Sequence, residues 1–260
     1  MTQRVNTRLT RKGALAAETY EVLRLWDGTM SWKAHLQVLR ETKLLPAPTE
    51  KWRREVLTTM SQRFPDPESV VLEALTRLAK QGESMEEWLP LLHVHLAQTD
   101  RLFWRFSTEW LWERKVAGCP SIVPSDVAPW IQESLQLEIS NGQGLSEYGQ
   151  TRLARDLVRM GADVRILTAA GSRKELQRVQ LQPDLLVFLL QLLSEEMAHP
   201  TGVLEAPFWH VFLWSRDDLV RELVELDQFG RIGYLAAGSI LDLRLPATSA
   251  RAYLEEWLPR

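Results

Sequence analysis

The sequence predicts a mainly α-helical protein, a helical N-terminal domain followed by two winged-helix-like modules with short β-hairpins. Three observations lead there. Apolar residues recur at helical spacing through the first 115 or so positions. Helix, turn, helix and hairpin signals then follow one another in the order of a winged helix. A similar order returns near the C-terminus around a second copy of the tetrapeptide Ala-Ala-Gly-Ser, found at 169–172 and again at 236–239. The expected domains are 1–118, 119–182 and 183–260.

In the first region Leu9, Leu15, Ala16, Tyr20, Leu23 and Trp26 keep one helical stripe, and Asp27-Gly28 ends it. Trp32, Leu36 and Leu39 begin another. Pro46 and Pro48 break the pattern, after which Thr49 and Glu50 are placed to cap a helix reaching Arg63-Phe64. Helices are expected over Ser69–Lys80, Met85–Thr99 and Asp100–Val116, the last rich in aromatic side chains suited to a core. Gly118-Cys119-Pro120 and Pro124 mark a boundary.

The middle segment begins with Ser125-Asp126, a cap for a helix with Val127, Trp130, Ile131, Leu135 and Leu137. Asn141 to Gly144 is a turn after a helix, so it does not read as a phosphate loop, which follows a strand. Ser146 opens a helix to Met160, with Gly161 placed to end it. Strands are expected at Asp163–Leu167 and Glu175–Leu181, around a loop carrying Arg173 and Lys174. A linking helix, Pro183–Ala198, leads to a second helix capped by Ser215 and ending at Phe229-Gly230. Strands Arg231–Leu235 and Ile240–Leu245 follow.

Charge is unevenly spread. Residues 1–64 hold 12 Lys and Arg against 6 Asp and Glu, whereas residues 181–260 hold 6 against 12, although the whole chain is only -3. A polyanion is expected to meet the basic part and avoid the acidic one. On the 146–160 helix, at about 100° per residue from Arg152, Arg155 falls near 300° and Arg159 near 340°, while Leu153, Ala154, Leu157 and Val158 fall on the opposite side. One face is therefore cationic and the other apolar, as a helix needs in order to pack on its neighbour and meet a DNA groove. Gln150 and Thr151, near its start, are placed to reach base edges or phosphate. The predicted DNA-binding residues are Gln150, Thr151, Arg152, Arg155, Arg159, Arg173, Lys174, Arg8, Arg11 and Lys12. The acidic C-terminal helix, with Asp217, Asp218, Glu222, Glu225 and Asp227, is expected to contact protein instead.

Signals for other classes are weak. His93 and His95 point about 200° apart on a helix and do not converge on a metal. His210 has no carboxylate or thiol partner nearby in sequence. There is no Walker loop, dinucleotide fingerprint, His-Glu-x-x-His or Gly-x-Ser-x-Gly. Pro183-Asp184 is followed by a continuous apolar run where a nuclease core would need an acidic residue and Lys. No catalytic residue, cofactor or metal is expected. The single cysteine, Cys119, fits a reducing cytoplasm. The longest apolar run, Leu185–Leu193, is about half a membrane span, and the first residues carry no apolar stretch of signal-peptide length. A cytoplasmic protein with no membrane segment is expected.

Arg8 to Leu15 followed by Glu18, then Arg63-Phe64, then Ala206 to Leu213 leading into a helix and the Gly238-Ser239-Ile240 hairpin, are similar to the BrxA family, a small component of the BREX phage-defence system. The resemblance spans nearly the whole chain. It implies a cytoplasmic, non-catalytic, mostly helical bacterial protein with winged-helix-like parts. Such a protein binds double-stranded DNA and works beside methyltransferase, ATPase and phosphatase-like proteins of the same system. Two other readings remain open: an assembly adaptor among those proteins, and a helical RNA-binding protein resting on Arg4, Arg8, Arg11, Lys12, Arg53 and Arg54.

Overall fold

A computed structural model describes residues 10–26, 28–65, 68–135, 145–197, 199–237 and 240–258. The protein is mainly helical with two short antiparallel ladders, and it divides into two compact units, residues 1–177 and 178–260.

The first unit opens with α1 (Ala16–Arg24), α2 (Trp32–Thr42), α3 (Glu50–Arg63), α4 (Val70–Gln81) and α5 (Met85–Thr99). α2 to α5 start where the sequence places a break or a cap, whereas α1 does not: the stripe expected from Leu9 is interrupted by positive φ at Gly13 and Leu15, and the helix begins only at Ala16. Ser31 accepts from the backbone N–H of Ala34, Thr49 from that of Trp52 at 3.1 Å, and Ser84 from that of Glu87. These bonds satisfy donors that a helix start leaves without intrahelical partners. Asp100 performs the same service for α6 (Arg101–Arg105), accepting from Leu102 and Phe103. The helix continues through a π segment, Phe106–Leu111, into α7 (Trp112–Val116). Phe103, Phe106 and Trp110 are buried there, with Phe106 and Trp110 stacked at 5.6 Å. Phe103, Phe106 and Trp110 thus take the core role expected of the aromatics, whereas Trp104 and Trp112 are half-buried.

Next come β1 (Ser121–Ile122), α8 (Pro124–Trp130) with a π turn Ile131–Leu135, α9 (Glu147–Asp163) and β2 (Lys174–Glu175). Asp126 caps α8 by accepting from the N–H of Val123 at 2.9 Å, and Pro124 occupies the first helical position, where its missing N–H costs nothing. Asn141–Gly144 and Leu137 lie outside the described residues. The two helices pack together. β2 pairs antiparallel with β1 and, through a single bridge between Leu167 and Leu176, with the chain leaving α9.

Two expectations are corrected here. The segment 163–167 is not a strand: α9 runs on to Asp163, and the reversal falls at Arg165, whose φ is 64°. Only Leu167 bridges, and paired backbone resumes over 174–177, where Leu176 donates to the carbonyl of Pro120 and Gln177 to that of Ile166, rather than over 175–181. Gly161 accordingly sits inside the helix. Its lack of a side chain serves close packing, since a Cβ there would stand 2.9 Å from Leu167 Cδ1.

The second unit is built on α10 (Pro183–Ser194), in which Leu185, Leu186, Val187, Phe188, Leu189, Leu190 and Leu193 are all buried. A helix apolar on every side belongs in a core. Two 3₁₀ turns, Pro200–Glu205 and Pro207–Phe212, lead to α11 (Arg216–Gln228), the strands β3 (Gly233–Ala237) and β4 (Ile240–Arg244), and α12 (Ala250–Trp257). Buried Trp209 and Trp214 donate their indole N–H groups to the carbonyls of Val203 and Val179. Ser215 caps α11 reciprocally with Asp218, and Gly230 follows the helix with φ 68°, the left-handed role expected of it. The hairpin forms, with its first strand two residues later than expected and its second starting at Ile240 as expected. Ala236 and Ala237 are paired with Leu241 and Ile240, so they extend the strand instead of turning it. Gly238 and Ser239 lie outside the described residues.

No helix among the described residues is long and apolar enough to cross a membrane.

Candidate nucleic-acid interface

The 17-residue helix α9 carries the candidate site. Ser146 fixes its start by accepting from the N–H of Gly149 at 3.2 Å. Leu153, Ala154, Leu157, Val158 and Met160 are buried, which fixes its rotation about its own axis. Thr151, Arg152, Arg155 and Arg159 are left exposed as a single stripe. Gln150 is turned off that stripe, half-buried, and its Nε2 donates to the carbonyl of Leu145 at 3.0 Å. Its outer side still lines a shallow cleft between α8 and α9, with Pro124, Ala128, Gln132, Thr151 and Arg155.

The stripe has a counter-ion. Asp156 Oδ1 lies 3.5 Å from Arg159 Nη2, and its side chain is largely covered. Burial holds this carboxyl above the usual carboxylate range, against the pull of Arg159, Arg152 and Arg11. Three cations from two parts of the chain therefore converge on one acidic group.

The N-terminal loop comes to α9 through backbone bonds. Arg159 Nη2 donates to the carbonyl of Arg11 at 2.9 Å, and Asp163 Oδ2 accepts the N–H of Ala14 at 3.0 Å. From the other side Arg63, almost fully buried, donates to the carbonyls of Gly13 and Ala14, while Thr10 Oγ1 donates to Asp100 Oδ2 at 2.7 Å. Gly13 has φ 69°, and a Cβ there would sit 2.9 Å from Asp163 Oδ2, so the loop passes where a larger residue does not fit. Arg11 is exposed beside the stripe, whereas Lys12 is engaged with Glu55 at 2.7 Å. Arg8 and Arg4 lie outside the described residues.

Arg173 and Lys174 bond locally. Arg173 Nη1 donates to Ser121 Oγ at 3.3 Å, and Lys174 Nζ to the carbonyl of Ala169 in the same loop. Of the cations considered for RNA, Arg53 is buried, held by Glu50 and the carbonyl of Leu45. Arg54 is exposed, 3.9 Å from Glu50. His93 and His95 are core residues. His93 packs against Phe103, and His95 Nε2 meets the carbonyl of Arg63 at 2.8 Å while its ring stacks on Phe64 at 4.3 Å.

Sequence reasoning missed Tyr148, which stands 74% exposed in the first turn of α9. On the helical projection it falls about 40° from Arg152 and about 20° from Arg155 and Arg159, in the middle of the basic stripe. That position was open to the same wheel that found the arginines.

As a class the described residues define a mainly helical protein with two short antiparallel ladders and a basic stripe on one amphipathic helix. The chain belongs to the BrxA family, whose model it matches over residues 3–192, and this makes it a component of BREX phage defence. No curated protein matches it.

Proposed function

We propose that this protein is a non-catalytic accessory component of BREX defence that binds double-stranded DNA through α9. The observation that carries this reading is the exposure of Arg152, Arg155 and Arg159 on one side of a helix whose other side is buried. Arg11 extends that surface. Guanidinium groups suit phosphate because they are permanently charged and present paired donors.

The order β1, α8, α9, loop, β2 supports reading residues 119–182 as a winged-helix-like module, with α9 as the groove helix and the 168–173 loop as the wing. By the same plan, α11 with β3 and β4 is a second such module. Its helix is acidic and its cations are engaged: Arg178 meets Glu222 at 2.6 Å, and Arg216 meets Glu205 at 2.7 Å. We assign that unit to contact with other proteins of the system.

Titration of a duplex over a salt series tests the reading. Neutralising four to six phosphates releases counterions, so log affinity should fall against log salt with a slope of about -4 to -5. A slope near zero would contradict it.

A further inference from the structure

We infer that the first turn of α9 reads bases, and that Tyr148 with Thr151 packs on thymine methyl groups in the major groove. This rests on the DNA-binding reading above and adds sequence preference to it.

Cations are absent from the first turn, which consists of Glu147, Tyr148, Gly149 and Gln150, while the three arginines all come later along the same stripe. Exposed Glu147 would repel a phosphate, so this end of the helix is unsuited to lie against the backbone. The ring of Tyr148 nonetheless stands free of the core, 74% exposed, directly in line with Arg155 and Arg159. Thr151, one turn on, is also exposed and borders the same concave surface as Tyr148, Arg152 and Arg155.

Dimensions fit an entry by the helix tip. At about 1.5 Å rise per residue, Arg155 lies about 10 Å and Arg159 about 16 Å along the axis from Tyr148. The major groove is about 12 Å wide. With Tyr148 at the base edges, Arg159 and the adjacent Arg11 therefore reach the bordering phosphates, and Arg152 and Arg155 lie between. Within that groove the apolar group offered by the bases is the thymine 5-methyl, which takes contacts from aromatic rings and from the methyl of threonine. An aromatic ring and a Thr methyl on one stripe match that chemistry, and the Tyr hydroxyl remains available to a base edge.

Replacing thymine by uracil in a duplex removes only the methyl, so it isolates the contact. The full-length protein should first be used to select from a randomised duplex pool. It should then be titrated against the selected duplex and against versions carrying uracil at one thymine at a time. The parent should lose about fourfold in affinity for each contacted methyl, equivalent to about 0.8 kcal/mol. Tyr148→Ala, which removes no core contact, should bind the selected duplex more weakly and be indifferent to uracil at the position Tyr148 covers. Tyr148→Phe should keep the discrimination, because the ring is retained. The inference is overturned if the parent is indifferent to uracil everywhere, or if Tyr148→Ala discriminates as the parent does. It is equally overturned if the substitution weakens only single-stranded DNA or RNA, the mark of stacking. A parent that binds no duplex at all refutes the underlying reading instead, so the two failures are separable.

Discussion

Two residue types illustrate how burial and charge set behaviour in this protein. His93 and His95 are enclosed in the core, and burial pushes their imidazoles down to about 3 and about 4. The folded state therefore keeps them neutral where an unfolded chain, with histidine near its ordinary value of about 6.5, would bind protons. Their contribution to stability is complete above about pH 6.5 and is lost as the pH falls towards 4. Asp100 and Asp163, whose carboxyls burial raises, act in the opposite sense and only over the carboxylate range. Urea unfolding should therefore reveal about 2 kcal/mol less stability at pH 5.5 than at pH 7; equal or greater stability at the lower pH would contradict the burial of the two rings. Asp156 concerns binding. It is a carboxylate set against Arg11, Arg152 and Arg159. Asp156→Asn should tighten duplex binding about fivefold, since two unit charges about 4 Å apart in water interact by about 1 kcal/mol. Lowering the pH through the raised value of Asp156 should tighten the parent in the same direction and leave the Asn variant less responsive. A titration in which Asn binds no better than the parent would remove Asp156 from the interface.

At the level of elements, the helices were legible because their signals are local. Thr49, Ser146 and Ser215 cap the helices assigned to them. Apolar periodicity on α9 gave the buried arc and, by subtraction, the arginine stripe. The chain after α9 was not legible, because its path is set by partners far away in sequence. Asp163 is held by the N–H of Ala14, and Gly161 accommodates Leu167, so the helix overruns its glycine and turns at Arg165 instead. Gly230, open on the side where a Cβ would project, behaves as local rules expect. The repeated Ala-Ala-Gly-Ser misled in the same way: at 169–172 it lies in a loop, whereas Ala236 and Ala237 are drawn into a ladder by their cross-strand partners. The N-terminal loop was found by its charge, yet only the structure separates Arg11, at the stripe, from Lys12, bound to Glu55.

For the whole molecule, charge is divided unevenly between the two units. Residues 1–177 carry 24 basic and 22 acidic side chains, and residues 178–260 carry 7 and 12. The first unit is therefore nearly balanced overall, and the proposed attraction for DNA depends on where the cations stand. On α9 they stand together. The most direct measurement is a duplex titration of Arg152→Glu/Arg155→Glu/Arg159→Glu beside the parent, with Arg216→Glu/Arg221→Glu on acidic α11 as the control. Replacing exposed Arg152 and Arg155 should cost about 0.5 kcal/mol each. Because Arg159→Glu also gives up the bond to the Arg11 carbonyl and faces Asp156, the Arg152→Glu/Arg155→Glu pair is titrated and melted alongside. The local charge changes by six, within one Debye length of about 8–10 Å. The account predicts that the triple variant melts near the parent temperature and loses duplex binding, while the control binds as the parent does. A triple variant that melts normally and still binds duplex DNA as tightly as the parent would contradict it.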